Sequence, residues 1–169
     1  MSSQIPIVDY HLEWPEVFAR EVDRIRTALG SRALQIEHTG STSVPGLVAK
    51  PVFDILLVVT NSADEETYAP ALEAVGYLLR IREINWYEHR MFKGPDARIN
   101  LHVFSCGCPE IDRMLMFRDW LRRHAADRDL YARTKLALAQ KEWKHVQDYA
   151  DAKTVVIEEI LARARPGQK

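Results

Sequence analysis

A chain of 169 residues is long enough to bury a self-sufficient core as one domain, residues 1–169, without disulfides or a structural metal. A formal net charge of −1 excludes a general nucleic-acid coat, whose affinity rests on a broad basic field, while leaving room for local basic clusters. Cys106 and Cys108 stand too close for an ordinary structural disulfide, the N-terminal MSSQIPIVDYHLEW lacks a signal-peptide pattern, and no run approaches the ~20 apolar residues of a membrane span; a soluble, cytoplasmic protein is expected.

Pro15 suits a first helical turn, and Val17, Phe18, Val22, Ile25 and Leu29 then recur at helical spacing up to Gly30. A short strand over Leu34 to His38 leads into a loop of small and turn-prone residues, Thr39 to Pro51. A second strand, Val52 to Val59, is rich in β-branched and aromatic residues and reads as buried. Ala63 to Ala74 reads as a helix that Pro70 either kinks or starts late. Tyr77 to Ile84 reads as a third strand, and the segment EINWYEHR then crowds aromatic and titratable groups together before a fourth strand at Met91 to Lys93. Gly94-Pro95-Asp96 turns the chain into a fifth strand, Arg98 to Phe104, so strands four and five form a hairpin. Three helices follow: Pro109 to about His124, about Asp127 to Lys141, and about Val146 to Ala164. Strands first and helices last predict an α+β domain: a mixed or mainly antiparallel sheet of about five strands, with packed helices and a C-terminal helical group as one cleft wall.

Asp54 is the one acid in the second strand, sharing a face with Val52, Leu56 and Val58. A carboxylate there needs a structural partner, a proton or a metal. The loop before it supplies Gly40, which lets a ligand approach the backbone, the hydroxyls of Ser41, Thr42 and Ser43, and the mobile charge of Lys50. Its sequence does not match the ATPase phosphate loop. His102 shares a strand face with Asn100 and Phe104; it is either a hydrogen-bonded interior or edge histidine or a partner of Asp54 on a neighbouring strand. Zinc at His102, Cys106 and Cys108 is rejected, because no second cysteine pair exists. On the later helices Arg118 and Arg122 continue the stripe of Ile111 and Leu115, and Lys135 and Lys153 each follow a tyrosine by one turn. The set Lys50, Arg118, Arg122, Lys135 and Lys153, on or beside apolar stripes in a chain of no net positive charge, predicts a focused anion site.

Gly40-Ser41 followed by Asp54 in an apolar strand resembles the signature of the polymerase-β-like nucleotidyltransferase fold. More closely, IEHTGSTSVPGLVAKPVFDI at Ile36 to Ile55, LHVF at Leu101 to Phe104, PEIDRMLMFRDWLR at Pro109 to Arg122 and the pairs Tyr131/Lys135 and Tyr149/Lys153 resemble the GrpB family, assigned to that superfamily. The resemblance implies transfer of a nucleotidyl group from an NTP to an unidentified acceptor with Mg²⁺. Asp54 would then be the metal ligand, Gly40, Ser41 and Thr42 would meet the phosphates, the basic set would neutralise the leaving pyrophosphate, and His102 or Glu37 would be a secondary ligand or base. The second acid that the superfamily places two residues after the first is here Leu56, and the third falls near His102. A non-catalytic nucleotide- or anion-binding module with a degenerate metal site is the competing expectation. In either case the expected partner is an NTP or another phosphorylated small molecule, with no membrane role.

Overall fold

The computed structural model describes residues 6–141 and 145–165; the first five residues of the N-terminal stretch read above lie outside them. Helix α1 (Trp14–Leu29) is followed by strands β1 (Gln35–Thr39) and β2 (Phe53–Val59), the short helix α2 (Ala69–Ala74), strands β3 (Leu78–Glu83), β4 (His89–Lys93) and β5 (Ile99–Ser105), and helices α3 (Pro109–Arg123), α4 (Ala125–Ala139) and α5 (Val146–Ala164). Pro70 occupies the first turn of α2, so it starts that helix late instead of kinking a longer one. A separate 3-10 turn, Glu65–Thr67, takes up part of the preceding segment.

The five strands form one sheet in the order β1-β2-β5-β4-β3. Only the β2–β5 pairing is parallel; the other three are antiparallel. That arrangement puts β5 at the centre with β2 and β4 beside it, and β2 is the most buried strand, with Phe53, Ile55, Leu56 and Leu57 all at 0% exposure. Phe53, Ile55, Leu57 and Val59 point into the main core, which α1 and α2 cover with Ile25, Leu29 and Leu72. Truncating one of these side chains to alanine costs about 2–5 kcal/mol.

The opposite face of β2 and β5 carries Leu56, Val58 and Phe104, covered by Ile111 of α3. A third apolar cluster joins Val44 and Leu47 of the loop to Leu121, Tyr131, Val156 and Ile160, so the C-terminal helices clamp the loop against the sheet. The polar start of this face, where Asp54 lies, is left between these two clusters. Among the described residues no helix is long and apolar enough to cross a membrane.

Candidate active site

Asp54 is the second residue of β2 and packs against the turn that ends β1. Gly40 sits there at φ +72°, and a Cβ on it would come within 2.8 Å of Asp54 Oδ2. Glycine is therefore required twice, for the left-handed backbone and for the close approach of the carboxylate. Ser41 and Lys153 stand with Asp54 where two cavities meet, a cleft of about 490 Å³ and a smaller one of about 250 Å³.

The larger cleft has an aromatic and thioether wall of Trp86, Phe104, Met114 and Phe117. Its floor holds a continuous chain of four titratable side chains. Asp54 Oδ1 lies 3.0 Å from His102 Nε2, His102 Nδ1 lies 3.0 Å from His89 Nε2, and His89 Nδ1 lies 2.7 Å from Glu83 Oε1. The imidazoles stack on each other, and Phe104 stacks on His89. His89 is 5% exposed; burial pushes its pKa down, the neighbouring His102 adds to that, and the bond to Glu83 opposes it. Sequence periodicity alone started β4 two residues too late, at Met91, and so left His89 outside the sheet. The turn before it explains the difference: Tyr87 (φ 56°) and Glu88 (φ 51°) are both left-handed, which costs about 1–3 kcal/mol at each residue. His89 N bonds Trp86 O at 3.1 Å, and Ser62 Oγ donates to Glu88 O at 2.7 Å, so the strained turn is held from both sides.

The smaller cavity is a lysine pocket, lined by Lys50, Lys93, Lys135 and Lys153 with Asp54 and Asn100. Lys135 is 2% exposed, donates to Val48 O at 2.5 Å and lies over the Tyr131 ring at 5.0 Å. Burial first, then the charge of Lys153, pushes its pKa down to about 7. Lys153 lies 4.7 Å over the Tyr149 ring; burial lowers its pKa and Lys50 adds to this, while Asp54 opposes it. Asn100, the register partner of Asp54 across β2 and β5, has its Oδ1 buried without a hydrogen-bond partner. Tyr131, from α4, is buried and hydrogen-bonded to Ser41, with its pKa pushed up to about 12 by burial.

The structure thus brings Gly40, Ser41, Lys50, Asp54, His102, Lys135 and Lys153 around one site. It does not bring Thr42, Arg118 or Arg122 there. These line a separate pocket behind the loop, together with Glu37 and His38. Thr42 is buried and donates to Val52 O at 3.1 Å. Arg118 donates to His38 O at 3.0 Å and pairs with Glu37 and Asp119. Arg122 donates to Ser43 O at 2.9 Å. The two guanidiniums satisfy a carbonyl at the end of β1 and one in the loop from the rear, which is why they continue the stripe of α3 without reaching the cleft. His89, Glu83 and Asn100 escaped the sequence reading. A signal existed for Asn100, which shares a strand face with His102; none marks Glu83 and His89 except their crowding in EINWYEHR.

A family model described as "GrpB protein" matches residues 4–163. The UPF0157 protein BH1888 of Halalkalibacterium halodurans is 64% identical over 163 residues, covering 96% of this chain and 84% of the relative. The crystal structure of GrpB from Enterococcus faecalis superposes with a TM-score of 0.80 at 29% identity, over 94% of this chain and 98% of that one. The Cid1 poly(U) polymerase solved with Mg and 3'-dATP matches with a TM-score of 0.56 at 12% identity, over 77% of this chain and 42% of that one, a likeness of fold alone. The sheet and its flanking helices are accordingly nucleotidyltransferase-like.

Proposed function

The chain belongs to the GrpB family, and from that premise we propose that it transfers a nucleotidyl group from an NTP to an acceptor hydroxyl. One observation carries the reading: Asp54 stands at the junction of an aromatic cleft and a lysine pocket, against a glycine turn that leaves room for phosphate. The triphosphate tail fits the lysine pocket, where Lys50, Lys135 and Lys153 share a lining in which Asp54 supplies the one carboxylate among the described residues. In such a desolvated setting each cation stabilises charge that develops on the departing pyrophosphate. The base and sugar fit the wall of Trp86, Phe104 and Phe117.

The acceptor oxygen forms a bond to the α-phosphorus, the bond from that phosphorus to the pyrophosphate oxygen breaks, and the electron pair leaves with pyrophosphate. The acceptor proton passes to the Asp54–His102 pair, whose 3.0 Å contact can redistribute it.

Among the described residues no three histidine, cysteine or acidic side chains gather as a ready metal cage. The donors present are the Asp54 carboxylate and the unpartnered Asn100 oxygen. They fit a Mg²⁺ that is completed by water and substrate phosphates, and that ion would neutralise phosphate charge when bound. The free thiols of Cys106 and Cys108 fit a reducing, cytoplasmic setting.

The test pairs the unaltered chain with Asp54→Asn. Each NTP, labelled at the α-phosphate, is titrated with and without Mg²⁺, and products are followed by mass spectrometry. Metal-dependent label transfer that Asp54→Asn abolishes is the expected result. Binding of NTP that is equal or tighter in Asp54→Asn, with no transfer by either protein, makes the chain a binding module.

A further inference from the structure

The wall that α3 gives to the larger cleft is apolar at one end and charged at the other. Glu110, Arg113, Met114 and Phe117 line the cleft at a spacing that makes them one stripe of that helix. The stripe has a direction. Phe117 packs edge-on against Tyr131 at 5.3 Å between ring centroids, and Tyr131 is hydrogen-bonded to Ser41 beside Asp54. Glu110 lies two turns earlier, about 10 Å along the helix axis. Its neighbour Ile111 packs with Val58 and Phe104, late in β2 and β5. A purine nucleotide with its α-phosphate at Asp54 spans that distance: its base lies along the aromatic wall, and its Watson–Crick edge meets Glu110 and Arg113.

Glu110 differs from an ordinary acid of a first helical turn. Asp112, in the same turn, is exposed, as an acid that only complements the helix dipole can be. The Glu110 side chain is only 12% exposed, and burial pushes its pKa up against the opposing charge of Arg113. Arg113 Nη1 donates to Glu110 Oε1 at 3.2 Å and Nη2 to Glu158 Oε1 at 2.7 Å, so α5 fixes the place of the guanidinium. Among the described residues Glu110 Oε2 accepts no hydrogen bond, and the guanidinium keeps further N–H donors to spare. The pair therefore presents, in a row, a donor on Arg113 and two acceptors on Glu110.

We propose that Glu110 and Arg113 read the base of the bound nucleotide and select guanine. The Watson–Crick edge of guanine runs acceptor, donor, donor, from O6 through N1–H to the 2-amino group, and complements that row. Adenine and cytosine begin with an amino donor, which meets the donor of Arg113; uracil ends with a carbonyl, which meets the carboxylate. Each mismatch leaves a polar group unpaired in a mostly buried place, and that cost rejects the wrong base. The inference rests on the transferase reading for placing a nucleotide in the cleft, but not for turnover.

The experiment titrates the full chain by calorimetry, in Mg²⁺ buffer, with GTP, inosine triphosphate, ATP, CTP and UTP. GTP should bind about tenfold or more tighter than ATP, CTP and UTP, and inosine triphosphate, which lacks only the 2-amino group, about tenfold weaker than GTP. Glu110→Gln, which sets an amide where an acceptor is needed, should bring GTP to within about threefold of ATP and leave ATP affinity within about twofold of its original value. Equal affinity for the five nucleotides, a preference for another base, inosine triphosphate as tight as GTP, or a GTP preference that survives in Glu110→Gln with an intact circular dichroism spectrum overturns the proposal. Label transferred equally well from GTP, ATP, CTP and UTP upholds the transferase reading and removes base selection; GTP-selective binding without transfer does the reverse. Absence of binding by every nucleotide removes both.

Discussion

The loop between β1 and β2 has two faces, and each meets a pair of cations that the sequence presents in the same way, on stripes continuous with core residues. On the front, Lys135 and Lys153 come from α4 and α5 into a pocket with Asp54 and Ser41. On the rear, Arg118 and Arg122 come from α3 and bond the carbonyls of His38 and Ser43. The rear cations hold the loop; the front ones lie where burial disfavours their charge. A forked guanidinium can satisfy carbonyls and a carboxylate at once, so it serves as a brace. A buried ammonium with few partners is unfavourable until an anion arrives.

The largest effect that separates the two faces is expected on nucleotide affinity. Lys153→Met keeps the apolar stem and removes the charge, and a charge-assisted phosphate contact of about 1.5–3 kcal/mol corresponds to roughly 10–100-fold in Kd. Calorimetric titration with each NTP should show this loss in Lys153→Met and at most a twofold change in Arg118→Ala. Equal losses in the two variants would erase the distinction.

Next in size is the converse effect on stability. Arg118 has a side chain only 10% exposed and bonds both the His38 carbonyl and two carboxylates. Arg118→Ala should therefore lower unfolding free energy by about 1–3 kcal/mol, seen as a shifted urea midpoint with an unchanged slope. Lys153→Met should leave that midpoint in place or raise it.

The smallest effects are two separate pH windows. On the rear face, burial and then Arg122 push the pKa of His38 down to about 4. Between about pH 4 and 6.5 the unfolded chain takes up a proton that the native state refuses, so stability falls as pH drops through this window. On the front face, the native pKa of Lys135 near 7 lies below its unfolded value. From about pH 7 to 10.5 the unfolded chain holds the additional proton, and stability rises with pH. Each slope is at most about 1.4 kcal/mol per pH unit. Urea titrations across pH should find the acid slope flattened by His38→Gln and the alkaline slope flattened by Lys135→Met. A single variant that flattens both would mean that the two faces titrate as one.

The amino-acid sequence determined most of the fold by itself. Five strands, the hairpin of β4 and β5, and the C-terminal helices were legible because apolar periodicity and turn residues act over short distances. Asp54, Gly40 and Ser41 were legible for a related reason: a lone acid in an otherwise apolar strand and a small-residue loop both stand out locally. What only the tertiary structure decided was direction and partnership. A stripe on a helix states that Arg118 and Lys135 each adjoin the core, not which side of a loop each will meet. That depends on how α3, α4 and α5 pack over the turn at Gly40. The imidazole chain was hidden for the same reason. Its members come from β2, β4, β5 and the end of β3, and only the sheet order, with β5 between β2 and β4, sets His102 between Asp54 and His89. Strand order follows from burial summed over the whole molecule, and no local pattern in the chain encodes it.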